Sequence, residues 1–125
     1  MTHERIVIVT GSRYWTDRKA IYDRLDFLRP GLVVHGGARG ADAIADEWAR
    51  KHGVPSHPER AEWKRYGPAA GPIRNGRMLR RFPTAEVSAF PLPRGSGTQD
   101  CIAQARALGM VRVWVWPEAY EDQGE

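Results

Sequence analysis

Cysteine is almost absent: Cys101 is the only one in the 125 residues. A lone thiol excludes an intrachain disulfide framework and points to a reducing compartment, which here means the cytoplasm. Long apolar runs are missing as well. No stretch approaches the roughly 20 residues of a membrane-spanning helix, and Met1 to Arg5 leads directly into a strand, with no basic and apolar export signal before it. Histidine is scarce, and His3, His35, His52 and His57 lack ligand spacing with each other and with acids. No metal site is therefore expected, and no cofactor.

What is present suits one globular domain, with 42% hydrophobic and 27% charged residues. The domain is read as residues 1–117, with 118–125 as a frayed acidic tail. Nineteen Lys and Arg against fifteen Asp and Glu give a net charge of +4. A basic balance favours anionic partners without choosing between a nucleotide, a nucleic acid and an acidic surface.

The chain is organised around Val33-Val34-His35-Gly36-Gly37-Ala38-Arg39-Gly40-Ala41-Asp42, where an apolar run breaks into glycines and resumes as a helical pattern. Glycines let successive N–H groups point into one concavity, and the helix that follows adds positive charge at its N-terminus. Phosphate or carboxylate fits such a place. Two further turns have the same character. Arg5 to Thr10 is a continuous β-branched strand that runs into Gly11-Ser12-Arg13, and Thr84 to Phe90 runs into Arg94-Gly95-Ser96-Gly97-Thr98.

Between these turns, Thr16-Asp17 opens a helix carrying Ile21, Leu25 and Leu28. Ala41, Ala45, Trp48, Ala49 and His52 mark the inward side of a second helix, with His52 as its C-terminal residue before Gly53 and not a catalyst, and Val54 to Pro58 is a short edge strand. Residues 61–72 read as a loop, Ile73 to Arg81 as a helix, and Val111 to Trp116 as the last strand. The alternation predicts an α/β, Rossmann-like three-layer sandwich: a parallel five-stranded sheet of order 3-2-1-4-5 with helices on both faces. In that order the loops after strands one, two and four open onto one crevice.

The candidate ligand-binding residues are those of the three turns, namely Gly11, Ser12 and Arg13; Gly36, Gly37, Ala38, Gly40 and Asp42; and Gly95, Ser96, Gly97 and Thr98. Backbone amides and the Ser12 and Thr98 hydroxyls hold phosphate, and Arg13 and Arg74 neutralise it. Asp42 either orients a ribose hydroxyl or Arg74, or satisfies the helix start. Asn75 reads a base edge or sugar, or holds its loop. Trp63 stacks on a base or packs over the crevice. The run Arg74, Arg77, Arg80 and Arg81 is either a track for a nucleic-acid backbone or a solvated helix face.

With Gly11-Ser12-Arg13, His35-Gly36-Gly37-Ala38-x-Gly40-Ala41-Asp42, Trp63, Gly71-Pro72-x-Arg74-Asn75-x-x-Met78 and Gly95-x-Gly97-Thr98 in place, the sequence resembles the SLOG superfamily. Within it the match is to the small YspA-related family of bacteria and phages. The resemblance implies a nucleotide or nucleotide-derived ligand, bound by a sensor or sequestering protein, and a homodimer. Its alternatives are a phosphoribohydrolase that releases the base from a nucleoside monophosphate, and a single-strand nucleic-acid module. The hydrolase branch carries Pro-Gly-Gly-x-Gly-Thr-x-x-Glu. Here Arg94 replaces the first glycine and Cys101 the glutamate. Asp100, one residue earlier, points about 100° away on a helix, which leaves Asp42 and Asp100 as the only catalytic candidates. Arg13→Ala and Gly40→Val are expected to abolish binding and spare the fold.

Overall fold

The computed structural model describes residues 5–110 and 112–118. Five strands, β1 (Ile6–Gly11), β2 (Leu32–His35), β3 (Ser56–Pro58), β4 (Glu86–Phe90) and β5 (Val113–Val115), form one sheet of order β3-β2-β1-β4-β5. Every pairing is parallel. Burial on both faces explains why the central strands read as unbroken apolar runs: Val7, Ile8, Val9, Val33, Val34 and Val87 are wholly inaccessible.

Period-two alternation divides these side chains between two cores. Val7, Val9 and Val33 meet α1 (Arg18–Leu28) and α2 (Ala41–Lys51) on one face, through Ile21, Leu25, Ala45 and Trp48. Ile8, Val34 and Val87 meet α4 (Ala70–Arg81) and α5 (Gly97–Ala107) on the other, through Met78, Leu79, Cys101 and Ala105. This is the expected three-layer sandwich. Asp17 caps α1 by accepting from the Ala20 N–H at 3.1 Å, the function its position before the apolar repeat predicted.

Three local expectations need correction. Residues 61–72 are not simply a loop: a one-turn helix α3 (Trp63–Tyr66) and a 3-10 turn (Gly67–Ala69) lead into α4, which starts at Ala70 rather than Ile73. Pro72 falls within the first turn of α4, where a missing N–H costs nothing, so the proline there does not delay the helix. His52 does not belong to the inward face of α2. It is the C-cap residue, exposed, with its ring stacked on Trp48 at 4.3 Å. The fourth strand begins at Glu86, two residues after Thr84.

Trp114 is core, and Trp116, about one-third exposed, sits edge-on to Trp15 at 5.0 Å. Val111, expected to open β5, lies outside the described residues, as do His3 and all of the expected acidic tail after Glu118.

Candidate functional site

The carboxyl ends of β1, β2 and β4 are adjacent in the sheet, so the turns that follow them are neighbours, and hydrogen bonds lock them together. The Ser12 N–H donates to the Phe90 carbonyl at 3.1 Å, joining the first turn to the end of β4. The Ala41 N–H donates to the Ser12 carbonyl at 3.1 Å, joining it to the start of α2. Contact is close enough to require the glycines. A Cβ on Gly11 would stand 2.5 Å from the Ala41 Cβ, and one on Gly40 would stand 2.4 Å from the Ser12 carbonyl oxygen. Gly40 also holds φ 70°, ψ −125°, a backbone region that is open to glycine and strained for other residues.

The β2 turn is built inward. Asp42 is buried, and its Oδ2 accepts from the Gly36 N–H at 2.9 Å and the Ala38 N–H at 3.2 Å. Burial pushes the Asp42 carboxyl above the usual carboxylate range, against the pull of His35, the Ala38 amide, Arg74 and the Gly36 amide. The Gly37 N–H donates to His35 Nδ1 at 3.0 Å, which leaves Nε2 to carry the ring proton toward Asp46 Oδ1 at 2.9 Å. The Gly36, Gly37 and Ala38 amides, expected to hold phosphate, are therefore committed to Asp42 and His35. Asp42 acts on the preceding turn rather than on the helix start.

The β4 turn is different. The Asp100 N–H donates to the Ser96 carbonyl, but the amides of Gly95 to Gln99 have no hydrogen-bond partner among the described residues. Gly95, Ser96 and Gly97 are exposed, and the Thr98 side chain sits just beneath them. A Cβ on Gly97 would meet nothing within 4 Å. This turn opens α5, whose peptide dipoles add positive character there.

Arg74 and Asn75, on α4, tie the β2 and β4 turns to each other. Arg74 Nη1 donates to the Gly36 carbonyl at 2.6 Å and Nε to Asn75 Oδ1 at 2.8 Å. Asn75, buried, donates through Nδ2 to the Gly97 carbonyl at 3.2 Å and to Asp100 Oδ2 at 3.0 Å. Asn75 thus holds a loop, although the one 22 residues ahead of it rather than its own. Arg13 is exposed, its guanidinium 5.1 Å from the centre of the Tyr14 ring. Trp63 lies on α3, 60% exposed, with its ring edge against the first turn of α4 at Gly71.

The weak catalytic candidates are occupied. Asp100 accepts from Asn75 and Gln104. Cys101, in the position of the hydrolase glutamate, is fully buried in the α4–α5 core, where burial pushes its thiol up to about 11 despite a hydrogen bond with Thr10. A protonated, dry thiol supplies neither a base nor a nucleophile at neutral pH. Of the arginine run on α4, Arg77 and Arg81 are paired with the buried Glu59, which burial pushes up but His57, Arg77 and Arg81 hold below its ordinary value. With Arg74 also engaged, three of the four arginines are turned to the protein, which removes the backbone track suggested by their spacing. Among the described residues no group of three or more His, Cys, Asp and Glu side chains is placed to hold a metal, and no helix is long and apolar enough to cross a membrane.

A family profile for YspA, cpYpsA-related SLOG proteins (YAcAr) matches residues 5–66, which contain the β1 and β2 turns. The Gene 61 protein of Mycobacterium phage D29 is 46% identical over 117 residues, covering 85% of this chain and 92% of that protein. The chain belongs to the YspA, cpYpsA-related SLOG family. Membership marks a nucleotide-related, Rossmann-like domain. The X-ray structure of TM1055 has the same fold, with a TM-score of 0.62 at 20% identity over 85% of this chain and 71% of that one. Glu59, which holds Arg77 and Arg81, and the His35–Asp46 pair carry no signal in the residue pattern. Glu59 directly follows an edge strand, a place where acids are common and unremarkable.

Proposed function

We propose that this SLOG protein binds a nucleotide or nucleotide-derived ligand in the crevice over β1, β2 and β4, as a sensor or sequestering protein rather than a hydrolase. Phosphate rests on the unpartnered amides of Gly95 to Gln99 at the start of α5, with the Thr98 hydroxyl beneath and Arg13 on the facing turn. Gly11, Ser12 and Gly40 fix the spacing of the turns. Gly36, Gly37, Ala38, Asp42, Arg74 and Asn75 hold the crevice in shape, and Trp63 offers an exposed ring for a base. The observation that carries the reading is the contrast between the two glycine turns: one has its amides consumed by Asp42 and His35, the other leaves them open. A buried thiol where the hydrolase branch has its glutamate argues against cleavage of the N-glycosidic bond.

The test is calorimetric titration with AMP, ADP-ribose and cyclic nucleotides, followed by chromatography for released base. Binding without turnover is expected, and base release would establish the hydrolase instead. Gly97→Val separates site from scaffold, since its side chain enters open space and valine is a better helix residue than glycine. Its bulk over the open amides should displace the phosphate and weaken binding by about tenfold or more while the fold survives. Unchanged affinity in that variant would refute the phosphate position.

A further inference from the structure

Each strand from β1 to β4 is followed, within four residues of its carboxyl end, by an exposed arginine: Arg13, Arg39, Arg60 and Arg94. None of the four pairs with a carboxylate among the described residues. Arg13 rests on Tyr14, and Arg60 reaches only the Gly37 carbonyl, at 3.4 Å. Elsewhere the arginines are mostly answered, Arg5 and Arg112 by Glu86, Arg18 by Glu47 and Arg50 by Asp46.

The acids on the same edge give the four no compensation. Asp17 caps α1, Glu59 is held by Arg77 and Arg81, and Glu62 faces Arg65 and Arg77. Asp42 and Asp100 are engaged in the crevice wall. One edge of the sheet therefore carries a row of open guanidinium forks, one per strand, a geometry matched to phosphoryl oxygens.

Sheet order sets the length of that row. Arg60 follows β3 and Arg94 follows β4, three inter-strand spacings apart, which is about 14 Å at roughly 4.8 Å per strand. A single phosphoryl group at the start of α5 has Arg94 on its own turn and Arg13 on the neighbouring one, and leaves Arg39 and Arg60 unused.

We propose that the ligand carries two phosphoryl groups held apart across the crevice, as the first and last are in a 5′-phosphorylated trinucleotide, one at the β4 turn and one between Arg39 and Arg60. The inference rests on the nucleotide reading above and specifies its ligand class. Neutralising the second pair of guanidiniums makes such a ligand bind more tightly than any nucleoside monophosphate, and makes its binding more sensitive to salt.

The test titrates the full chain with AMP, ADP-ribose, the 5′-phosphorylated trinucleotide pApApA and a long thymidine oligonucleotide. The trinucleotide is expected to bind about a hundredfold more tightly than AMP, each added arginine contact contributing about tenfold. Arg60→Ala narrows that gap by about tenfold, whereas Arg106→Ala, an exposed arginine in the last turn of α5, leaves both affinities as they were. Equal affinity for AMP and pApApA overturns the proposal, as does an Arg60→Ala effect of the same size on both. ADP-ribose binding as tightly as pApApA overturns the separation of the two groups, and a higher affinity for the long oligonucleotide replaces the trinucleotide by a nucleic-acid strand. Failure of every probe, AMP included, removes the nucleotide reading itself.

Discussion

Gly40→Ala is the sharpest test of how the crevice is assembled. Its φ of 70° and ψ of −125° put an alanine in a region that costs about 1–3 kcal/mol. The new methyl group would lie 2.4 Å from the Ser12 carbonyl oxygen and 2.5 Å from the Arg13 carbonyl carbon, both main-chain atoms that cannot rotate away. Relieving that overlap shifts one turn against the other, a further 1–3 kcal/mol or so by analogy with overpacked cores. The shift also stretches the 3.1 Å bond from Ala41 to Ser12. The sum is about 4 kcal/mol, which lowers the thermal midpoint of a domain this size by about 15 °C. Gly53→Ala is the control, because φ there is +65° but nothing lies within 4 Å of the added methyl; only the conformational cost of about 1 kcal/mol remains. Calorimetric melting of both variants decides the matter. Equal losses would mean that the clash between turns does not exist. The same geometry corrects the expectation that Gly40→Val spares the fold while abolishing binding, since a larger side chain meets the same carbonyl.

Further outcomes follow from other contacts. Asn75→Ala strands the Gly97 carbonyl and Asp100; it should cost about 1–3 kcal/mol in urea unfolding and weaken AMP binding about tenfold, and a variant as stable as the wild type would deny Asn75 its bridging role. Cys101, its thiol pushed to about 11 from 9.0, should react with iodoacetamide at pH 8 about a hundredfold more slowly than in the unfolded chain; equal rates would place the thiol in solvent. Glu47 is held down to about 2 from 4.5 chiefly by its hydrogen bonds from Arg18 and Tyr22. Its folded value lies below its unfolded one, so the stability it adds is complete above 4.5 and is lost as pH falls toward 2. Glu47→Gln should flatten that part of the melting-temperature profile, and an unaltered profile would exclude the linkage.

The sequence by itself determined the sheet and its order, because unbroken β-branched runs separated by helical repeats leave one common topology with right-handed crossovers. It also located the three glycine turns, since only glycine tolerates backbones as close as those at Gly11 and Gly40. Tertiary structure alone decided which turn is open. Whether an amide is free depends on partners far along the chain or buried beside it: Asp42 and His35 for the β2 turn, and none among the described residues for the β4 turn. The arginines divide in the same way. Arg77 and Arg81 read as a basic stripe until Glu59 folds against them, whereas Arg13, Arg39, Arg60 and Arg94 are scattered in the chain and meet only because parallel strands end on one edge. A charge is set by its residue, but its availability is set by what packs beside it, and residue spacing carries no record of that.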